Sequence, residues 1–125
     1  MSTTTFNSAS LVTLLASEDI PFGARVVEFN DSGTLKAKLA GVDELADAIA
    51  QGAVSEGDHG MFKFVSSGDT NYGIANGEVT LGGFVYAAAD GKLAATGTVI
   101  EGYARQSEDG EIFEWRSKPA ASDET

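Results

Sequence analysis

Closely spaced glycine turns between short β-forming runs are the feature that most constrains how this chain folds. The sequence has 15 glycines but only two prolines in 125 residues. Glycine adopts the positive φ angles that tight turns require, and it weakens the interior of a helix. The chain therefore predicts a mainly β fold, a small β-barrel or β-sandwich built from short antiparallel strands.

Three β-hairpins are predicted from turn residues that separate alternating or apolar runs. Their turns fall at Asn30–Gly33, Asn76–Gly77 and Ala89–Lys92. Asn-Gly and Asp-Gly pairs tolerate the left-handed backbone of two-residue hairpin loops. After the first turn, Lys36 and Lys38 alternate with apolar residues, so we expect the lysines on the solvent-facing side of a half-buried strand.

One short helix is predicted near residues 43–51. Asp43 is a suitable N-cap, and Gly52 can take the left-handed position that ends a helix. Leu45, Ala46 and Ile49 would then share one apolar face. Because an isolated helix of this length is marginal, packing rather than propensity would hold it.

The chain contains two stretches with a similar order of residues. Residues 20–35 and 79–93 each have a glycine before a strand, an Asp/Gly turn after it, and a leucine at the start of the return strand. Two readings stay open: chance similarity in a glycine-rich chain, or an internal duplication that yields two related β-halves.

The length fits a single domain, because a globule of this size buries about two thirds of the surface that its unfolded chain exposes. We divide it into an N-terminal arm over residues 1–18, one β-rich domain over residues 19–117 and a polar C-terminal tail over residues 118–125. The segment Leu11–Leu15 belongs to the arm in this division, although its apolar content also fits a first core strand.

Catalytic and metal-binding patterns are absent from the sequence. There is no cysteine, and the single histidine, His59, follows Asp58 directly, so the two side chains would point to opposite faces of a strand. Asp69–Gly73 begins like a calcium loop, but its glycine comes one position early and Thr80 replaces the bidentate glutamate. We therefore expect no catalytic residues, no metal and no cofactor, and a protein that is not an enzyme.

Charge and hydropathy exclude two classes of partner. The formal net charge is −11, from 19 acidic and 8 basic residues, and such a surface repels nucleic acid. The longest mostly apolar run, Ala9–Ala16, is too short to span a bilayer. With no basic region before it, the N-terminus does not resemble a secretory signal, so we expect neither a membrane partner nor export.

Several motifs together resemble the capsid decoration, or cement, proteins of tailed bacteriophages. They are Ile20-Pro21-x-Gly23 before a valine-rich strand, Leu81-Gly82-Gly83-Phe84-Val85-Tyr86 with Asp90-Gly91-Lys92, and Ile100-x-Gly102-Tyr103-Ala104 followed by Gly110-Glu111-Ile112-Phe113-Glu114-Trp115. The resemblance covers about residues 20–117, with residues 43–52 as an insertion. It implies a β-rich protein on the outside of the expanded head.

The resemblance also implies partners and a location. We expect binding to the major capsid protein, self-association as a homotrimer or else a dimer, assembly in the host cytoplasm and a final position on the capsid exterior. The arm is the candidate clamp, since its backbone could extend a neighbour's sheet while its apolar side chains fill grooves. The candidate interface residues are Phe6, Leu11, Val12, Leu14, Leu15 and Phe22.

Three alternatives remain at the level of sequence. A glycan-binding or adhesive module of a virion surface would expose an aromatic platform around Trp115, which shares a strand face with Phe113. A small carboxylate hydrolase would carry an acid with a raised pKa in a cleft. The weakest is an acidic mimic of nucleic acid, because the acids are dispersed rather than concentrated in a stripe.

Overall fold

The computed structural model describes residues 11–118 of the chain. Within them it has twelve β-strands and one 3-10 turn at Ala89–Gly91. The strands in chain order are β1 (Leu11–Ala16), β2 (Arg25–Asp31), β3 (Thr34–Leu39), β4 (Ala48–Ala50), β5 (His59–Phe64), β6 (Thr70–Ile74), β7 (Glu78–Val79), β8 (Phe84–Ala87), β9 (Leu93–Ala94), β10 (Ile100–Ala104), β11 (Glu108–Asp109) and β12 (Ile112–Ser117). The predicted mainly β fold with a small barrel is confirmed.

The first five strands form a closed barrel in the order β1-β3-β2-β4-β5, which β1 closes by pairing with β5. All neighbours are antiparallel except β1 and β3, which run parallel. The single parallel pair has a topological reason. A closed ring with an odd number of strands cannot alternate direction throughout, so at least one neighbouring pair must be parallel.

A second sheet follows in the order β6-β12-β10-β8-β9. Its end strands approach each other through one parallel bridge between Ala75 and Leu93, and the Asn76 N–H donates to the Leu93 carbonyl at 2.7 Å. The short pair β7–β11 lies beside it. The second sheet therefore curls towards the closed form of the first.

The two halves, residues 11–65 and residues 66–118, have the same strand order. If the five strands of each half are numbered in sequence order, leaving out β7 and β11, both sheets have the order three, two, four, five, one. In both halves, strands one and three are joined in parallel. The small β7–β11 pair has its counterpart in the single antiparallel bridge between Ile20 and Val54. The similar stretches 20–35 and 79–93 occupy equivalent places, so the fold consists of two related β-halves.

Each half has its own apolar core, and the same site is filled differently in the two. In the first, Leu14 on β1 and Phe62 on β5 are both fully buried. The equivalent strands β6 and β12 carry Gly73 and Trp115, and a Cβ placed on Gly73 would lie 2.8 Å from the indole ring. A small residue beside a large one preserves the filled volume that close packing requires.

The predicted helix near residues 43–51 is wrong. Asp43, the expected N-cap, has a left-handed φ of 67°, and Ala48–Ala50 forms β4, buried between β2 and β5. The barrel cannot close without this strand, whose backbone pairs with both neighbours. A nine-residue helix offers too little local stability to compete. Between residues 11 and 118 no helix is long and apolar enough to cross a bilayer.

Candidate functional site

The residues predicted to form an interface lie in different environments on β1. Leu14 is buried inside the barrel and Val12 packs against the same core. Leu11 and Leu15 alternate with them and point outward, Leu11 being the more exposed. Phe6 lies outside the described residues. The stretch Leu11–Leu15 is thus a core strand in its inward positions, and only its outward positions are accessible to a partner.

Phe22, the sixth predicted residue, packs where the two halves meet. Its ring lies 5.3 Å from the ring of Tyr72 at an angle of 51°, a geometry typical of aromatic pairs. The next residue, Gly23, approaches the side chain of Ile112, since a Cβ there would lie 3.1 Å from Ile112 Cδ1. Phe22 therefore contributes to contact between the halves and is only partly exposed.

The outward residues of β1, β3 and β5 form one continuous surface, which we call the β1 face. It combines apolar and basic side chains and has no carboxylate at these strand positions, although the chain carries 19 acidic residues. Asp31, at the tip of the β2–β3 hairpin, pairs with Lys36 at 2.7 Å, and Lys63 donates to the Thr70 carbonyl. The residues of the face are Leu11, Thr13, Leu15, Thr34, Lys36, Lys38, His59, Met61 and Lys63.

One buried ion pair connects the two halves. Arg25 on β2 donates from Nη1 to Glu101 Oε2 on β10 at 2.8 Å, and the two side chains are 0% and 3% exposed. The guanidinium also donates to the carbonyls of Ala88 and Lys92 in the second half. Glu101 Oε2 accepts in addition from the Ala46 N–H at 2.9 Å. All three guanidinium nitrogens and Glu101 Oε2 are thus hydrogen-bonded, as burial requires.

Burial dominates the protonation equilibria of this pair. It lowers the pKa of Arg25 and raises the pKa of Glu101, and in each case the partner's opposite charge acts against the shift. A lone basic residue in the apolar run Ala24–Val27 is the signal that sequence reasoning could have used for Arg25. No spacing rule identifies Glu101 as its partner, because the two are 76 residues apart.

A cavity of about 200 Å³ opens beside Glu101. A raised pKa in a cleft is what the hydrolase alternative predicted, and Glu101 has one. Glycoside hydrolysis needs a pair of carboxylates flanking the scissile bond. The other residues lining this cavity are Leu45, Ala46, Val65, Ser66, Ser67, Ser117 and Lys118, none of which is acidic. Glu101 is held by Arg25 and serves the junction of the halves.

The remaining sequence candidates take structural positions. His59 lies outward on β5 opposite Leu15, and within residues 11–118 no cluster of histidine and acidic residues could hold a metal ion. Trp115 is completely buried, and its indole N–H donates to the Tyr72 carbonyl at 3.0 Å. The aromatic platform expected around Trp115 is therefore not at the surface.

A second exposed apolar surface, which we call the Phe84 face, lies on the outer side of β8 and β10. Phe84 is 59% exposed and pairs in register with Tyr103, which in turn lies opposite Arg116. Arg116 Nη1 donates to the Tyr103 hydroxyl at 3.3 Å. Leu81, in the loop before β8, is also exposed. Sequence reasoning did not identify this surface as an interface.

The comparisons with known proteins identify the fold. No family model matches the chain, and no curated protein matches its sequence. A solved structure described as the head fiber gp8.5 N base in bacteriophage phi29 superposes with a TM-score of 0.77 at 16% sequence identity, covering 86% of this chain and 92% of that chain. The chain thus has the fold of a base domain from a phage head fiber, over nearly the full length of both.

Proposed function

We propose that this protein is a decoration, or cement, protein that binds the outer surface of an expanded phage head and stabilises contacts between major capsid subunits. The observation that carries the proposal is the shared fold with the head fiber base, which extends over 86% of the chain. The decoration-protein motifs of the sequence support the same role independently. The proposed role is structural, on the capsid exterior of the virion, without catalysis and without nucleic acid or membrane as a partner.

The mechanism is selective binding to one state of the shell. A ligand that binds only the expanded lattice stabilises that lattice by RT ln(1 + [L]/Kd) for each occupied site. We propose further that the protein acts as a homotrimer. An oligomer that contacts several shell subunits at once gains avidity, so modest individual contacts hold the shell together for long periods.

The β1 face is the surface proposed to contact the head. It carries three of the chain's eight basic residues and no acid at its strand positions, so it suits a partner whose surface is acidic and partly apolar. Met61 is 47% exposed at its centre, opposite Thr13. Leu11 and Leu15, two of the predicted interface residues, lie on the same face.

Cosedimentation with expanded heads assembled without the protein tests the proposal. We expect saturable binding by the folded protein and reduced binding by Met61→Glu, which places a negative charge in the β1 face. Val42→Glu is the matched control, because Val42 is at least as exposed but lies in the loop before β4. A folded protein that fails to bind heads at saturating concentration would refute the proposed function, and equal loss by both variants would refute the β1 face.

The predicted clamp requires a separate variant. Deleting residues 1–18 would also remove β1, which pairs with both β3 and β5, so loss of binding would then report loss of the barrel. Phe6→Ser changes no residue of a described strand. Unaltered head binding by Phe6→Ser would show that this side chain has no part in a clamp, whereas weaker binding with an unchanged fold would support one.

A further inference from the structure

One of the contacts between the two halves joins a surface of each half whose equivalent in the other half is exposed. In the first half, the covered surface is the start of β2, where Arg25 is completely buried. In the second half, the covering element is the β8–β9 turn. This turn lies close to β2, since the Gly91 N–H donates to the Ala40 carbonyl at 2.8 Å. A Cβ on Gly91 would lie 2.8 Å from the Arg25 carbonyl oxygen.

The equivalent of the covered surface is the Phe84 face. Arg25 begins β2 and Phe84 begins β8, and each follows by two residues a glycine with φ near 85°, namely Gly23 at 85° and Gly82 at 84°. The next residue in each strand, Val26 or Val85, points into its own core. Arg25 and Phe84 thus occupy the same outward position, but Arg25 is 0% exposed and Phe84 is 59% exposed.

The equivalent of the covering turn is the β2–β3 turn. Ser32 and Gly33 both have positive φ, as Asp90 and Gly91 do in the β8–β9 turn. A Cβ built on Gly33 would have no atom within 4 Å, whereas Gly91 is in close contact with the first half. Among residues 11–118, each half therefore has one of these surfaces engaged with the other half and one that is exposed.

We propose that the β2–β3 turn of a second copy of this chain docks on the Phe84 face, repeating between copies the contact that joins the halves within one. The contact continues an existing interface of the fold and is heterologous, so successive copies form a ring when the rotation closes. The inference rests on the proposed function in that it names the surfaces of the proposed homotrimer.

The chemistry of the new contact differs from that of the internal one. Phe84 cannot donate to carbonyls as Arg25 does, so burial of Phe84, Leu81 and the Tyr103 ring supplies the attraction. Arg116 lies in the same row, beside Tyr103, and Asp31 stands at the tip of the incoming turn. The positive charge of Arg116 suits the Asp31 carboxylate, which Lys36 also contacts at 2.7 Å. Repulsion between two Arg116 side chains opposes the pairing of two Phe84 faces with each other.

Measuring the mass in solution across a concentration series tests the docking. We expect the wild-type protein to be oligomeric, Phe84→Glu to be monomeric with an unchanged circular dichroism spectrum, and Met61→Glu to keep the wild-type mass. Met61→Glu is the matched control, because it adds the same charge at a similarly exposed strand position whose equivalent in β12 is already Glu114. A monomeric wild type, or a Phe84→Glu variant with the wild-type mass, would overturn the inference.

Mixing two variants tests the heterologous geometry. Thr34→Arg adds a bulky charge beside the β2–β3 turn and leaves the Phe84 face intact, while Phe84→Glu leaves the turn intact. Each variant alone should be monomeric. An equimolar mixture should form 1:1 heterodimers, because the unchanged turn of Phe84→Glu can dock on the unchanged Phe84 face of Thr34→Arg. A mixture that stays monomeric would overturn the proposed geometry.

Head binding is measured separately, so the two proposals fail independently. A protein that binds heads but is monomeric at every concentration refutes the docking and leaves the decoration role intact. A protein that forms the expected oligomer through Phe84 but does not bind expanded heads refutes the decoration role alone.

Discussion

The guanidinium of Arg25 is the most heavily bonded side chain that joins the two halves of the molecule. It reaches Glu101 and the carbonyls of Ala88 and Lys92 in the second half while bonding carbonyls of Gly41 and Glu44 in the first. A buried pair of this kind adds little net stability relative to apolar residues, but the loss of one partner leaves a buried charge uncompensated. The pair thus makes correct docking of the halves a condition for folding.

Replacing Glu101 by Leu should destabilise the protein severely. We expect a loss of about 3–5 kcal/mol, because the Arg25 guanidinium stays buried without a counter-charge. Urea denaturation followed by Trp115 fluorescence measures it. Glu114→Leu is the matched control, since Glu114 forms an exposed pair with Arg105 at 3.5 Å, and it should cost less than about 1 kcal/mol. Equal effects of the two substitutions would contradict the structural role of the buried pair.

Gly73 is required by the size of its neighbour rather than by its own backbone. Gly73→Ala should destabilise by about 1–3 kcal/mol, because the new methyl group overlaps the indole of Trp115. Adding Trp115→Phe should recover part of the loss, since the equivalent site in the first half combines Leu14 with Phe62. Gly52→Ala is the control, because a Cβ there meets nothing within 4 Å. Thermal denaturation followed by circular dichroism compares the three variants, and a double variant no more stable than Gly73→Ala would argue against volume exchange.

At the scale of elements, local patterns predicted what local interactions determine. The hairpins at Asn30–Gly33 and Ala89–Lys92 are confirmed, since in each a strand, its turn and the return strand are continuous in sequence. The Asn76–Gly77 turn exists, with Gly77 at a φ of 83°, but it does not form a hairpin. The strand before it, β6, pairs with β12 instead, and a distant pairing of this kind leaves no mark on the turn itself.

The segment Ala48–Ala50 shows why the helix prediction failed. A short continuous apolar run such as Ala48–Ala50 fits a strand buried on both sides and also fits part of a buried helix. Pairing with β2 and β5 favours the strand over the helix, because the edges of these two strands need a partner to close the barrel. Likewise, the buried Arg25–Glu101 pair and the exposed Phe84 face depend on how the two halves dock. Neither composition nor residue spacing predicts that docking.

Two substitutions distinguish the observed strand from the predicted helix. A helix would bury Leu45 and Ile49 on one face, but in the structure Leu45 is 53% exposed and Ile49 is fully buried. Leu45→Ser should therefore change the free energy of unfolding by no more than about 0.5 kcal/mol. Ile49→Ala should cost about 2–5 kcal/mol, because it leaves a cavity in the second core. Chemical denaturation of both variants measures these changes in the free energy of unfolding. Similar large losses of stability in both variants would favour the helix.

On the scale of the whole molecule, the two halves are related in topology but not independent in packing. Ile49 belongs to β4 of the barrel, yet it is buried in the core cluster of the second half, against which Ala46 and Val65 also pack. Conversely, Ile74 of β6 packs against the first core. The sequence similarity between residues 20–35 and 79–93 left chance and duplication both open, and it gave no information on this exchange of side chains.

The exchange predicts that the molecule unfolds as one unit despite its two cores. Trp115, the single tryptophan, reports on the second half, whereas far-UV circular dichroism reports on the strands of both. Unfolding of either half would expose Ile49 and the Arg25–Glu101 pair to solvent. The two signals should therefore change with the same urea midpoint. Glu101→Leu should lower the urea midpoints of both signals by the same amount. A shift of the fluorescence midpoint alone would contradict this prediction.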